Sequence, residues 1–298
     1  MRFYFVGHIA YDTLIYVNRF PSPNSAAPVY SLFETYGGAA ANCAVVAAKM
    51  DEDASIVSCV GEDFPNSDYD RYLSALNIDT SHVKVIRGHL TSRAYMPVDA
   101  QRNQMSFFYW GASEHLAWAK VPKLKAGEED IIHIANGDPA FNRKLASAYR
   151  HSIISFDPGY DIVLYSREDL EYLFRHIDFL FVNEHELRSI LIKTRNRSER
   201  DLLKYGVECV VVTEGAKGST ITTKGERFHV RAPKAKYVDP TGAGDAYRAG
   251  FLVAFAKGKD LRTCGRVGSA VAGHVIEHVG AQTGVLTWEK ALAKAKRL

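Results

Sequence analysis

The chain begins with an unbroken apolar run, Phe3 to Ile9, the pattern of a strand buried on both faces. Alternation follows. Residues 13–36 swap apolar and polar positions (Leu14, Tyr16; then Val29, Ser31, Phe33, Thr35) around Pro21-Ser22-Pro23-Asn24, which predicts a hairpin. A second pair of strands is predicted at about Thr91–Pro97 and Gln104–Trp110, split by the polar turn Asp99–Asn103. Between the two pairs, Gly37-Gly38 leads into an alanine-rich helix that ends near Met50.

From Ala54 strands and helices take turns. Strands are predicted at Ile56–Val60, Ile131–Ala135, Ile153–Phe156, Phe179–Val182 and Cys209–Thr213. Helices fall between them at 67–76, 142–150, 167–176, 185–192 and 198–204. Ser219–Thr223 and Arg227–Val230 read as a hairpin across Lys224-Gly225, and helices at about 243–257, 261–278 and 287–296 close the chain. This order predicts an α/β fold of right-handed βαβ units, with a mostly parallel sheet covered by helices.

Composition narrows the function only by exclusion. With 298 residues, 47% hydrophobic and 24% charged, the chain suits one large α/β domain, with a small β insertion from about 13–36 and 88–112. A net charge of +3 with no Lys/Arg block argues against nucleic acid as partner. Cys43, Cys59, Cys209 and Cys264 are scattered without a CxxC, as expected of buried free thiols in a reducing compartment. No apolar run is long enough to span a bilayer, and the amino terminus lacks a signal-peptide layout. The expectation is a soluble, cytoplasmic protein.

The chemistry concentrates in Asp239-Pro240-Thr241-Gly242-Ala243-Gly244-Asp245. Pro240 disfavours helix before it, Thr241 is a good N-cap, and Ala246, Ala249, Phe251 and Val253 have helical spacing. Gly242 and Gly244 leave the first-turn amides uncovered at the positive end of the helix dipole, which makes an anion site from backbone. Asp245 would repel a phosphate at rest. A carboxylate there fits a base that takes the proton of a hydroxyl as it attacks a phosphoryl group. The local alternative is a helix start with a favourable first-turn acid.

This stretch resembles the carboxyl-terminal signature of the ribokinase-like (PfkB) family of carbohydrate and nucleoside kinases, Asp-Thr-Thr-Gly-Ala-Gly-Asp-x-Phe. The chain departs from it at Pro240 and Tyr247, leaving the glycines and the aspartate in place. The text from Asp239 to Phe251 is most similar to archaeal nucleoside kinases and bacterial adenosine kinases. The resemblance implies a ribokinase-like three-layer α/β/α fold whose two β pairs form a lid. It also implies that Asp245 is the catalytic base, and that the amides of Gly242, Ala243 and Gly244 stabilise the transferring group.

Further matches extend the resemblance over essentially the whole chain. Asp12 follows the first strand, where the residues alone allow either a turn acid or a ligand group. Family members hold two sugar hydroxyls with an aspartate here. Gly38 and Asn42 match the amino-terminal signature that contacts the same sugar. Asn183-Glu184-His185-Glu186 resembles the family's Asn-x-x-Glu, which implies phosphate contact by Asn183 and ordering of the waters of Mg²⁺ by Glu186. Thr213, Gly215 and Gly218 match the loop that wraps ATP. Gly280-Ala281-Gln282 resembles a Gly-Ala-Gln on the adenine side, and many members hold a monovalent cation such as K⁺ between it and the loop at Asp239.

Other chemistries fit less well. His274-x-x-Glu277-His278 has zinc-helix spacing but no evident third ligand. No Gly-Lys-Ser/Thr follows the glycines, and the first turn lacks G-x-G-x-x-G. For the acceptor, Ser106-Phe-Phe-Tyr-Trp-Gly-Ala112 resembles the adenosine kinases, and Phe108 is the aromatic expected to meet a base. Alternation puts Phe108 and Trp110 on one face, Phe107 and Tyr109 on the other. Lid packing or a homodimer through the lid is the competing use of these rings. The expected activity is ATP- and Mg²⁺-dependent phosphorylation of a nucleoside 5′-hydroxyl, with a ribose or fructose kinase as the alternative.

Overall fold

Phe3 and Phe5 point to one side of the first strand and Tyr4 and Val6 to the other, and all four are buried. A strand covered on both faces requires helices above and below it. The computed structural model, which describes Met1–Leu298, has that arrangement. The strands are β1 (Arg2–Val6), β2 (Ala10–Val17), β3 (Val29–Gly37), β4 (Asp53–Gly61), β5 (Asp79–Ile86), β6 (Ser92–Val98) and β7 (Phe107–Tyr109). They continue with β8 (Ile131–Ile134), β9 (Ile153–Phe156), β10 (Phe179–Asn183), β11 (Cys209–Thr213), β12 (Ser219–Thr223) and β13 (Arg227–Val230). Nine of them form one sheet in the order β13-β12-β11-β10-β9-β8-β1-β4-β5, parallel except at β12 and β13.

The helices are α1 (Ala39–Lys49), α2 (Asp68–Ala75), α3 (Pro139–Ala148), α4 (Arg167–Phe174), α5 (Glu184–Thr194), α6 (Glu199–Leu202), α7 (Ala243–Ala256), α8 (Leu261–Val275) and α9 (Trp288–Ala295). On one face α1, α7 and α8 bury Val45, Phe251 and Val271 against Phe3 and Phe5. On the other, α3, α4 and α5 bury Phe141, Leu173 and Ile190 against Tyr4 and Val6. The fold is α/β, with the sheet as its middle layer. Ser166 and Asn183 close capping boxes at the starts of α4 and α5, and each such cap contributes about 1 kcal/mol.

A second sheet, β3-β2-β6-β7, joins two antiparallel pairs through a parallel contact of β2 with β6. Local alternation predicts each pair but carries no information about that parallel seam. The sequence also predicts nothing at β5, a half-exposed edge strand whose residues alternate weakly. The first strand stops at Val6 rather than Ile9, because Gly7 turns the chain at φ 146°. Asp12 consequently lies inside β2, not in a turn after β1. Helix α8 ends at Val275, three residues before the expected 278. The carbonyl of Ile276 accepts instead from the amides of Val238 (2.8 Å) and Asp239 (3.2 Å), which pulls the chain out of the helix.

Candidate active site

Ring packing sets the position of α7. Phe251 meets Phe181 of β10 edge-on at 5.2 Å between centroids, and the buried Ala246 and Ala249 allow close approach of the neighbouring layer. The first turn of α7 is thereby held at the carboxyl ends of the central strands, where ligands of parallel sheets collect. Gly242 is the N-cap at φ 74°, a left-handed conformation, and a Cβ there would collide with Ala281. Thr241 does not cap the helix as its sequence position predicts. Its hydroxyl donates to Asp239 Oδ1 at 2.6 Å, while Asp239 Oδ2 accepts from the Gly280 amide at 2.8 Å.

The amides left without a backbone partner differ by one residue from the three that the sequence points to. Ala243 N–H donates to the Pro240 carbonyl at 3.1 Å, closing the turn, so Ala243 is committed to structure. The amides of Gly242, Gly244 and Asp245 have no backbone partner. Beside them Asp245 Oδ2 accepts from Asn42 Nδ2 at 2.8 Å, and Oδ1 accepts from Arg248 Nη1 at 2.7 Å. The other nitrogen of that guanidinium pairs with Asp157, the buried residue that follows β9. Burial pushes the Asp245 carboxyl above its ordinary range, against the opposing pull of Arg248 and Asn42. Burial also works against the charge of Arg248, but Asp157, Asp245 and Glu186 outweigh it and raise the guanidinium pKa.

Asn42 joins Asp245 to the segment around Gly37 and Gly38. Its Oδ1 accepts from Gln282 Nε2 at 2.8 Å, and the same Gln282 nitrogen lies 2.7 Å from the Tyr69 hydroxyl. Tyr69 in turn donates to the Gly37 carbonyl at 2.7 Å. Gln282, in the segment that the resemblance puts on the adenine side, is thus tied to Asn42 and, through Tyr69, to Gly37. Gly38 has φ 94°, and a Cβ on it would strike the backbone of His8 and Ala10. Asp12 is buried with its carboxylate against Gly37, so close that a Cβ on Gly37 would overlap it. Burial, then Asp245 and Asp239, push the Asp12 carboxyl up to about 8.

The remaining sequence-derived residues form a second group. Asn183 and Thr213 are register partners at the ends of β10 and β11. Gly215 and Gly218 bracket the turn that follows, closed by Glu214 N–H donating to the Gly218 carbonyl at 2.8 Å. Glu186 binds back to Asn183, accepting from its amide N–H and its Nδ2 at 2.8 Å each. Phe108 is half-buried on β7 with its ring 5.0 Å from His8 and 5.9 Å from Trp110, while Phe107 and Tyr109 are exposed on the opposite face. His274 pairs with Glu277 at 3.1 Å, and no group of three His, Cys, Asp or Glu side chains is arranged to hold a metal ion.

Sequence reasoning passed over Arg248 and Tyr69. The signal for Arg248 was present: one charged residue among the buried positions Tyr247, Ala249, Gly250 and Phe251. Tyr69 left no such signal, since a tyrosine on an amphipathic helix is ordinary core.

A backbone anion site beside a buried, hydrogen-bonded carboxylate is the arrangement that the carboxyl-terminal signature implies, and residues 2–288 match the pfkB family of carbohydrate kinases. The chain belongs to that family. As a pfkB-family kinase it is a phosphotransferase with an alcohol group as acceptor. It is 42% identical to a nucleoside kinase of Methanocaldococcus jannaschii over 98% of this chain and 96% of that one. The crystal structure of the M. jannaschii nucleoside kinase superposes with a TM-score of 0.94 at 41% identity, covering 100% of this chain and 98% of the other. A Burkholderia thailandensis nucleoside kinase in complex with inosine gives 0.86 at 26% identity, over 99% and 98% of the two chains. A ribokinase of Haemophilus influenzae is 26% identical over 96% of each chain.

Proposed function

We propose that this pfkB-family kinase transfers the γ-phosphoryl group of ATP to the 5′-hydroxyl of a nucleoside. The observation that carries the reading is Asp245, a buried carboxylate held by Asn42 next to three backbone amides without backbone partners. Asp12, Gly38 and Asn42 hold the ribose. The Asp12 carboxylate accepts from two hydroxyls, and Asp245 takes the proton of the attacking 5′-hydroxyl. The amides of Gly242, Gly244 and Asp245 face the charge that develops on the transferring group. Ala243 serves the turn. Asn183, Thr213, Gly215 and Gly218 contact the nucleotide.

The donor set suits Mg²⁺. Glu186 is a carboxylate whose field reaches both Asp157 and Arg248, and magnesium keeps most of its waters while taking few carboxylates. Glu186 would hold it through water, and the ion would offset charge on the ATP phosphates. Asp239 already ties the Gly280 amide to the Thr241 turn, the two segments that flank a monovalent cation in the resemblance. Potassium would tune a junction that the protein closes by itself, and replacing K⁺ with Na⁺ in the assay tests this.

The second sheet serves as a lid over the acceptor, excluding water that would compete with its hydroxyl. On its outer face Leu32, Tyr95, Phe107 and Tyr109 are exposed, and this apolar face supports a homodimer through the lid. The four cysteines are free and buried, in keeping with a cytoplasmic place, and no helix is long and apolar enough to cross a membrane.

A sugar as acceptor is the second reading, favoured by the ribokinase among the relatives. ADP release with ATP and Mg²⁺ is measured against nucleosides, free sugars and sugar phosphates. Turnover of nucleosides but not ribose or fructose is the expected result. Turnover of free sugars alone keeps Asp245 as base and rejects the base-binding role of Phe108.

A further inference from the structure

Arg248 makes one contact to each of two carboxylates. Nη1 lies 2.7 Å from Asp245 Oδ1, and Nη2 pairs with Asp157 Oδ2. The side chain is 13% exposed, and a Cβ built on Gly244 would fall 3.1 Å from Nη2, so the guanidinium lies beside one of the free amides. It arises from α7 one turn after Asp245, and therefore moves with the anion site rather than with a loop.

The sharing matters chemically. An arginine that grips a carboxylate with both nitrogens occupies both of its oxygens. Here Asp157 takes the second nitrogen. Asp245 is left with one partner on each oxygen, Arg248 on Oδ1 and Asn42 on Oδ2, and a lone pair to receive a proton. The surroundings are otherwise acidic. The charge of Asp245 raises Asp12 on β2 and Asp157 at the end of β9, and Glu186 on α5 raises Asp157 and Arg248, while Asn42 and Cys43 meet Asp245 from α1 as neutral groups. A buried carboxylate among other carboxylates, without a cation, takes up a proton and ceases to be a base.

We propose that Arg248 is the positioning residue for the catalytic base: its guanidinium anchors and orients the Asp245 carboxylate, and Asp157 holds that guanidinium back from closing over the base. The proposal rests on the reading of Asp245 as base, and is independent of whether the acceptor is a nucleoside or a sugar. Asp157 thus acts on the reaction through Arg248, without touching the acceptor.

Steady-state kinetics of Arg248→Met, Arg248→Lys, Asp157→Asn and the double variant Arg248→Met/Asp157→Asn test the assignment. Arg248→Met is expected to lower kcat about a hundredfold with the acceptor KM within about threefold, and to move the acid limb of the kcat profile to higher pH. Arg248→Lys should recover about tenfold of that loss, keeping the charge but not the fork. Asp157→Asn should lower kcat on its own yet add nothing to Arg248→Met, because its effect passes through the guanidinium. A kcat within threefold of wild type in Arg248→Met, or losses that add in the double variant, overturns the proposal. Should Arg248→Met not fold, Asp157→Asn decides alone: a lower kcat at unchanged KM supports the role and an unchanged kcat rejects it. A wild-type protein that phosphorylates no acceptor rejects the functional reading instead. Carboxyl ¹³C spectra of labelled aspartates, assigned with Asp245→Asn, then decide the pair: a displaced Asp245 resonance in Arg248→Lys supports the coupling, and an unmoved one rejects it.

Discussion

Asn42, in the first turn of α1, donates its side-chain amide to Asp245 Oδ2 at 2.8 Å across a separation of 203 residues. The contact makes one unit of two glycine motifs that the sequence presents far apart. It also gives Asn42 a role beyond the sugar contact that the family resemblance implies, since Gln282 fixes the other end of the same amide. A hydrogen bond to a charged group contributes about 1.5–3 kcal/mol. Asn42→Ala is therefore expected to lower kcat roughly tenfold to a hundredfold. Asn42→Asp should lose more, because a second carboxylate beside Asp245 favours its protonation. Kinetics across pH 6 to 9 check both, and an alanine variant with wild-type kcat would disconnect the two loops.

Asp245→Asn preserves shape and removes basicity. Turnover should fall by about two to four orders of magnitude, the range typical of general-base removal, while acceptor affinity by calorimetry stays within a few-fold. An asparagine variant that retains activity would require another base in the site.

With Asp12 as the proposed acceptor contact, its burial is expected to link acceptor binding to protons. Its carboxyl is pushed from 3.8 up to about 8, first by burial and then by Asp245 and Asp239. A carboxyl whose folded pKa is raised contributes stability in its protonated form. That contribution is whole below the unfolded value of 3.8 and is lost as pH rises through about 8. The ligand-free protein should accordingly lose stability from Asp12 over that interval, and Asp12→Asn should flatten this part of the curve. Acceptor hydroxyls that donate to the ionised form reverse the shift, so binding at pH 7 releases a proton. Calorimetry in buffers of different ionisation heat measures the release. A binding heat independent of buffer would remove Asp12 from the acceptor contact.

Glycine geometry offers a steric test of the same contact. A Cβ on Gly37 would overlap the Asp12 carboxylate, and the Tyr69 hydroxyl bound to the Gly37 carbonyl resists a shift of the loop. Gly37→Ala is expected to raise the acceptor KM at least tenfold, with the ATP KM close to wild type; about 1.4 kcal/mol suffices for such a change. Equal losses in both would mean that the substitution disturbs the whole site.

The α/β layering was legible because it depends on local periodicity: buried apolar runs for central strands and helical spacing between them. The proposed base and the free amides beside it read as one motif because Gly242, Gly244 and Asp245 adjoin in sequence. Illegible features depended on distant contacts. The engagement of Ala243 follows from the Pro240 turn, and the position of Gln282 from Tyr69 and Asn42, which no local pattern reports. The edge strand β5 escaped because an exposed edge needs no apolar alternation. The early end of α8 was set by two amides nearly forty residues upstream, at Val238 and Asp239.

Phe108 separates the two acceptor readings. Its ring faces His8 over the end of β1, while Phe107 and Tyr109 face away and are exposed. A base stacked on an aromatic side chain gains about 1–3 kcal/mol. Phe108→Ala should then raise the nucleoside KM by roughly fivefold to a hundredfold and leave kcat nearly unchanged, because stacking acts on the bound ground state and transition state alike. Phe107→Ala, on the outer face, serves as the control and should leave KM where it was. Ribose, which has no base to stack, should show no dependence on Phe108 at all. If Phe107→Ala and Phe108→Ala instead raise KM equally, the rings act through packing of the second sheet, and the base must bind elsewhere.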